Sequence, residues 1–118
     1  MFEKIIEINM LYDFYGQLLT VKQREILKLY YEDNFSLSEI AEEFGISRQG
    51  VHDFVKRAEK SLHEYEKQLG LVSKFGETEE AIAAIDSEIE QLIKENAQNG
   101  KLMDRLQKIK SIIDQINE

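Results

Sequence analysis

Apolar residues recur at intervals of three and four along almost the whole chain, and this spacing restricts the protein to helices. The longest series ends at Gly70 and consists of Val51, Val55, Ala58, Leu62, Tyr65 and Leu69. Such spacing places side chains on one face of a helix, whereas a half-buried strand needs an alternation that no segment sustains. The chain also has no proline to interrupt a helix. The sequence therefore predicts an all-α fold.

Polar residues at fixed offsets predict where the helices begin. Thr20 with Gln23, and Ser36 with Glu39, fit the capping box, in which two residues three apart exchange side-chain and backbone hydrogen bonds. They predict one helix from residue 20 to about 33 and a shorter one over 37–44. A first helix is predicted over 2–19. Its apolar residues point in several directions, so it needs cover from more than one side.

The segment from residue 37 to residue 54 fits the pattern of a helix-turn-helix. This motif requires apolar residues where its helices cross, a small residue where the backbones approach, and glycine at the corner. The residues that meet these demands are Ile40, Ala41, Phe44, Gly45, Ile46, Val51 and Phe54. Ser47 is predicted to cap the second helix of the motif, the recognition helix, which extends over 48–69.

The remainder of the chain predicts a second helical element. Residues 70–77 are the predicted boundary, and Thr78, followed by two glutamates, is predicted to begin the next helix. Apolar seams over 82–92 and 102–116, separated by Asn99 and Gly100, predict an antiparallel helical hairpin. The predicted organisation is thus 1–70 for the first helix and the helix-turn-helix, and 71–118 for an acidic hairpin that serves assembly or partner binding.

The stretch from Leu19 to Leu62 resembles region four of bacterial sigma factors, the module that reads the upstream promoter element. Together with the N-terminal segment MLYDFYGQLLT and the acidic helical tail, the whole chain resembles the YlxM family of small sigma-like helix-turn-helix proteins. This resemblance implies a DNA-binding regulatory protein. It also implies a link to the signal recognition particle, because genes of this family usually lie beside the genes of that particle.

The resemblance to the sigma module implies a set of nucleic-acid-binding residues at the start of the recognition helix. The groove-facing residues are Ser47, Arg48, Gln49, His52 and Asp53, and those nearer the phosphates are Lys56, Arg57 and Lys60. The chemistry of these residues agrees in part with a role in DNA binding, because arginine pairs with guanine and glutamine pairs with adenine in the major groove. Two positions depart from the sigma pattern: Gly50 replaces a longer polar residue, and Asp53 stands where glutamine is common.

The charged residues of the recognition helix have a second interpretation. They also fit a solvated helix face with ordinary ion pairs at three- and four-residue spacing, made by Arg48, Lys56, Arg57 and Lys60 with Asp53 and Glu59. The five tyrosines fall at core-compatible spacing, so we interpret them as packing residues and not as base-stacking platforms.

The net charge of −8 bears on the choice of partner, because it repels free polyanions at long range. Two functions therefore stay open. The first is a regulator that binds DNA, with RNA as an open alternative. The second is an interaction module that does not bind DNA and docks a basic partner, such as a component of the signal recognition particle. Excess apolar surface on residues 2–19 and on the tail predicts a homodimer in either case.

Several classes of protein do not fit this sequence. Without cysteine, and with only two histidines, it predicts no metal site and no cofactor. It contains no nucleophile elbow, phosphate loop or carboxylate pair set in an apolar cleft, so we predict neither an enzyme nor a small-molecule substrate. No apolar run is long enough to span a membrane, and the acidic N-terminal segment is unlike a signal peptide. The expected location is the cytoplasm.

Overall fold

The computed structural model describes residues 2–116, which form six α-helices. These are α1 (Phe2–Tyr15), α2 (Val21–Leu27), α3 (Leu37–Phe44), α4 (Arg48–Leu69), α5 (Leu71–Glu95) and α6 (Gly100–Ile116). A 3-10 turn at Gly16–Leu18 follows α1, and a π-helical turn at Lys28–Glu32 continues α2. No strand occurs in the described range, so the all-α prediction is confirmed. The chain divides into two compact units, the first ending at Val72 and the second beginning at Ser73.

The first unit is built around α4, which packs against α1, α2 and α3. Its core consists of Ile8, Leu11, Tyr15, Leu19, Ile26, Leu27, Ile40, Ala41, Val51, Val55, Ala58 and Leu62. The predicted seam of α4 is therefore buried from Val51 to Leu62, whereas Leu69 at its end is half exposed. Only one face of α1 is buried, because Phe2 and Ile6 are 81% and 57% exposed.

The capping signals predicted the helix starts of the first unit correctly. Thr20 and Ser36 each accept a hydrogen bond from the backbone three residues on, and Gln23 and Glu39 return it, so both capping boxes are formed. The end of α1 was predicted four residues too late, at Leu19. Glycine is a poor helix former, and the chain tightens into the 3-10 turn at Gly16.

The predicted helix start at Thr78 is wrong. Helix α5 is continuous from Leu71, directly after Gly70, whose left-handed backbone (φ 63°, ψ 24°) ends α4. The Tyr15 hydroxyl accepts a hydrogen bond from the Leu71 N–H at 3.0 Å, and Glu66 Oε1 accepts one from the Val72 N–H at 3.0 Å. These partners satisfy the first N–H groups of α5, so the helix needs no serine or threonine cap at Thr78.

The second unit is an antiparallel helical hairpin, as predicted, formed by α6 and the part of α5 from Ser73 onward. Its small core is formed by Ile89, Leu106 and Ile113, with Ile82, Ile93 and Leu102 packed against them. At the connection, Asn99 Oδ1 accepts a hydrogen bond from the Leu102 N–H at 3.1 Å. That the hairpin serves assembly or partner binding, and that the functional boundary lies at residue 70, stay predictions.

Two negative findings apply to residues 2–116. None of their helices is both long and apolar enough to cross a membrane. Their histidine and carboxylate side chains form no cluster of three or more that could hold a metal ion.

Candidate nucleic-acid interface

A tight corner positions the recognition helix α4. Gly45 ends α3 in the left-handed conformation (φ 67°, ψ 34°), and its N–H donates to the Ala41 carbonyl. The Ile46 N–H donates to the same carbonyl at 3.1 Å. This pairing closes the end of α3 in the manner of a glycine C-cap. At the start of α3, hydrogen bonds from Ser36 lower the pKa of Glu39. The helix-turn-helix predicted from the sequence is therefore formed.

The packing of α4 turns the predicted site residues toward solvent. Val51, Val55 and Ala58 are buried beneath the helix. All eight predicted residues are exposed: Ser47, Arg48, Gln49, His52, Asp53, Lys56, Arg57 and Lys60. Their exposure makes them available to a ligand, although contact with nucleic acid stays a prediction for each of them.

Ser47 has a structural role that accounts for the glycine at position 50. Its hydroxyl accepts a hydrogen bond from the Gly50 N–H at 2.9 Å, which confirms the predicted N-cap. A Cβ at position 50 would lie 3.1 Å from Ser47 Oγ, closer than such atoms normally approach. Gly50, which departs from the sigma pattern, therefore leaves the capping hydroxyl room against the first turn of α4.

Three of the predicted groove-facing residues interact with one another. The Gln49 amide donates to Asp53 Oδ1 at 3.0 Å, and His52 Nδ1 lies 3.6 Å from the same oxygen. Asp53 thus holds the amide that the sequence assigns to adenine. A nucleic-acid base at this place has to compete with Asp53 for Gln49, or donate to Asp53 through an exocyclic amine.

Lys56 is paired with Glu59 at three-residue spacing, as the second interpretation of the recognition helix predicts. That interpretation also places Glu59 on a solvated helix face, and there it is wrong, because Glu59 is only 6% exposed. It accepts a hydrogen bond from the Tyr31 hydroxyl at 2.6 Å, and Lys4 and Lys56 approach it to 3.3 and 3.7 Å. The nearby Lys4 ammonium lowers the pKa of Lys56, and burial raises the pKa of Tyr31. Lys56 therefore has an internal counterion.

A further basic residue, Lys22 of α2, lies beside the recognition helix. Its ammonium is 5.6 Å from the centroid of the Phe54 ring, within the range of a cation–π contact. Arg57 and Lys60 of α4 line a surface groove together with Gln23 of α2. The sequence pattern does not single out Lys22, because only the packing of α2 against α4 brings it to this surface.

The comparison with known proteins agrees with this architecture. Residues 2–118 match the family model UPF0122, described as "Putative helix-turn-helix protein, YlxM / p13 like". UPF0122 protein lmo1802 of Listeria monocytogenes is 43% identical over 112 residues, which cover 95% of this chain and 99% of the relative. UPF0122 protein BH2485 of Halalkalibacterium halodurans is 42% identical over the same shares. For UPF0122 protein BCAH187_A3894 of Bacillus cereus, 43% identity covers 92% of this chain and 99% of the relative. The resemblance to the YlxM family is thus confirmed, and the chain belongs to the UPF0122 family of YlxM/p13-like helix-turn-helix proteins.

Proposed function

We propose that this protein is a nucleic-acid-binding regulatory protein that reads DNA with α4. The observation that carries the proposal is the capped corner from Ser36 to Ser47, which leaves the start of α4 exposed while the opposite face is anchored in the core. This is the arrangement in which the second helix of a helix-turn-helix enters the major groove.

Within this proposal, the exposed residues divide into two kinds. Arg48 and Gln49, on the first turn of α4, contact base edges. Arg57 and Lys60, with Lys22 from α2, contact phosphates and position the helix without reading sequence. Lys56 contributes less than its charge suggests, because it shares Glu59 with Lys4.

The test is a measurement of binding by fluorescence anisotropy, with duplex DNA and duplex RNA, at several salt concentrations. Arg48→Ala should cost about 1 to 3 kcal/mol on preferred DNA sequences and relax the preference. The control is Lys74→Ala, which removes one exposed positive charge from α5 and should leave affinity unchanged. If the wild-type protein shows no salt-dependent binding to either nucleic acid, the proposal fails.

A second function is supported by an acidic surface on α3. Phe35, Glu39, Glu42 and Glu43 line this surface, which with the net charge of −8 fits a basic protein partner better than a polyanion. In this alternative the helix-turn-helix is an interaction module that does not bind DNA. Replacing Glu42 and Glu43 by lysine should then abolish binding to the basic partner, whereas Arg48→Ala should not.

We also propose, from the family resemblance, that the partner belongs to the signal recognition particle pathway, and that the protein acts as a homodimer. The gene neighbourhood of the family supports the first statement. Excess exposed apolar surface supports the second. Binding assays with the RNA and the protein of the particle, run in parallel with DNA, test the pathway link.

A further inference from the structure

The hairpin of α5 and α6 uses only part of each apolar seam for its own core. Ile89, Leu106 and Ile113 are buried between the two helices. Five other large apolar side chains are between 43% and 62% exposed: Ile85, Leu92, Ile109, Ile112 and Ile116. We call these five residues the apolar side of the hairpin.

The five residues share one side of the hairpin. Ile85 and Leu92 each follow a core residue of α5 by three positions, and Ile109 and Ile116 do the same on α6. A step of three residues turns about 60° away from the core in the same sense on both helices. Because the helices are antiparallel, this rotation brings both sets to the same side. Ile112 follows Ile109 by a further three positions and lies there too.

An ion-pair cluster occupies the opposite side. Asp86 and Lys110 each follow a core residue by four positions, which turns about 40° the other way. Lys110 Nζ lies 2.9 Å from Glu90 Oε1 and 3.6 Å from Asp86 Oδ1. The hairpin therefore has one polar side that is paired within the chain and one apolar side that is not covered.

Exposed charges border the apolar side asymmetrically. On α5, Glu88 and Glu95 each lie three positions beyond an apolar-side residue, so this border is acidic. On α6, the border is basic and consists of Lys101, Arg105 and Lys108. A uniformly basic or acidic partner would meet like charges along one border. A second copy, turned by a two-fold rotation, would meet opposite charges along both.

We propose that the apolar side is the self-association surface of this protein. Two hairpins face each other in a four-helix bundle in which α5 of each copy lies on α6 of the other. This deepens the homodimer part of the proposed function and is independent of its nucleic-acid part.

The acidic and basic border residues that would pair across the dimer also lie at similar heights along the helix axes. Because Lys110 contacts both Asp86 and Glu90, Lys108 lies within about one helical turn of the level of Glu88. Glu95 and Lys101 flank the same short connection. Rotation about a two-fold axis parallel to the helices leaves the height of each residue along that axis unchanged. Glu88 of one copy therefore meets Lys108 of the other, and Glu95 meets Lys101.

The size of the surface fits a reversible dimer. A helix of the length of α6 is about 25 Å long, and two helices side by side offer roughly 500 Å² per copy. The total of about 1,000 Å² is near the lower limit for a specific interface. Single substitutions at its centre should therefore be enough to dissociate the dimer.

The first experiment is sedimentation velocity on the full chain, without nucleic acid, at micromolar concentrations. The wild-type protein should sediment as a dimer and Ile112→Glu as a folded monomer, with folding checked by circular dichroism. Ile6→Glu is the matched control, because Ile6 on α1 is exposed to a similar degree. A monomeric wild type, or dissociation by Ile6→Glu and not by Ile112→Glu, would overturn the proposal.

A charge exchange tests the pairing independently of the apolar residues. Glu88→Lys and Lys108→Glu should each weaken the dimer about tenfold, since two symmetry-related contacts change sign in each variant. Mixing the two variants should restore dimerisation, because every pair in the mixed dimer is again of opposite charge. If the mixture associates no better than either variant alone, this arrangement of the helices is wrong.

Discussion

The Tyr15 hydroxyl donates a hydrogen bond to Glu66 Oε1 at 2.5 Å, joining residues that are 51 positions apart in the sequence. The same hydroxyl accepts a hydrogen bond from the Leu71 N–H, and the same carboxylate oxygen accepts one from the Val72 N–H. Burial and the hydrogen bond to Glu66 raise the pKa of Tyr15. One buried phenol therefore ties the end of α1 to the last turn of α4 and to the first turn of α5.

Removing this hydroxyl should destabilise the protein. Tyr15→Phe deprives Glu66 of one donor and the Leu71 N–H of its acceptor, so we expect a loss of about 1 to 3 kcal/mol in the free energy of unfolding. Urea denaturation measures it. The matched control is Tyr65→Phe, whose exposed hydroxyl donates to the Leu18 carbonyl at 3.2 Å and should cost less. Equal losses in the two variants would contradict the role given to Tyr15.

The network around Glu59 should make stability fall in alkaline solution. Burial and the bond to Glu59 raise the pKa of Tyr31 above its value of about 10 in the unfolded chain. The stabilisation is therefore complete below about pH 10 and is lost as the pH rises further. Between about pH 10 and pH 12, the free energy of unfolding of Tyr31→Phe should fall less steeply than that of the wild type. Parallel curves would exclude this contribution.

Replacing either of two glycines by alanine should change the stability of the protein in opposite directions. Gly45 has a φ of 67°, so Gly45→Ala should cost about 1 kcal/mol through backbone strain at the corner. Gly76 lies inside α5, and a Cβ there would meet nothing within 4 Å. Gly76→Ala should therefore raise stability by up to about 1 kcal/mol. Thermal unfolding measures both, and a stabilising Gly45→Ala would show that the corner tolerates a side chain.

Asp53 should distinguish the two proposed functions. In a DNA reader, Asp53→Gln removes a negative charge near the phosphates and releases the Gln49 amide, so affinity should rise about threefold or more. In a protein-docking module, the same change should be neutral or harmful. Asp104→Asn, at an exposed position of α6, controls for net charge. Anisotropy titrations with DNA and with the basic partner compare the two.

Lys22 should behave as a phosphate contact, although the sequence did not single it out. Lys22→Ala should weaken all DNA sequences alike and reduce the logarithmic salt dependence of binding by about one unit. Lys74→Ala, at an exposed position of α5, provides a control of equal charge. An unchanged slope for Lys22→Ala would remove Lys22 from the interface.

The local features of this fold could be predicted because their interactions lie within a few residues. The hydroxyls of Thr20, Ser36 and Ser47 bond to backbone three positions away, and Gly45 adopts its conformation without a distant partner. The sequence therefore determined where α2, α3 and α4 begin, the corner between α3 and α4, and the buried side of α4. It also determined which residues the start of α4 exposes.

Only the tertiary structure decided the features whose partners are distant in sequence. Glu59 is spaced like a surface residue, yet packing places it against Tyr31 and Lys4, which offset the cost of burying its charge. The start of α5 depends on Tyr15, and the packing of α2 against α4 places Lys22 beside Phe54. Helical periodicity determines which residues share a face. The neighbouring helices decide what each face contacts, because burial and electrostatics depend on side chains that folding brings together.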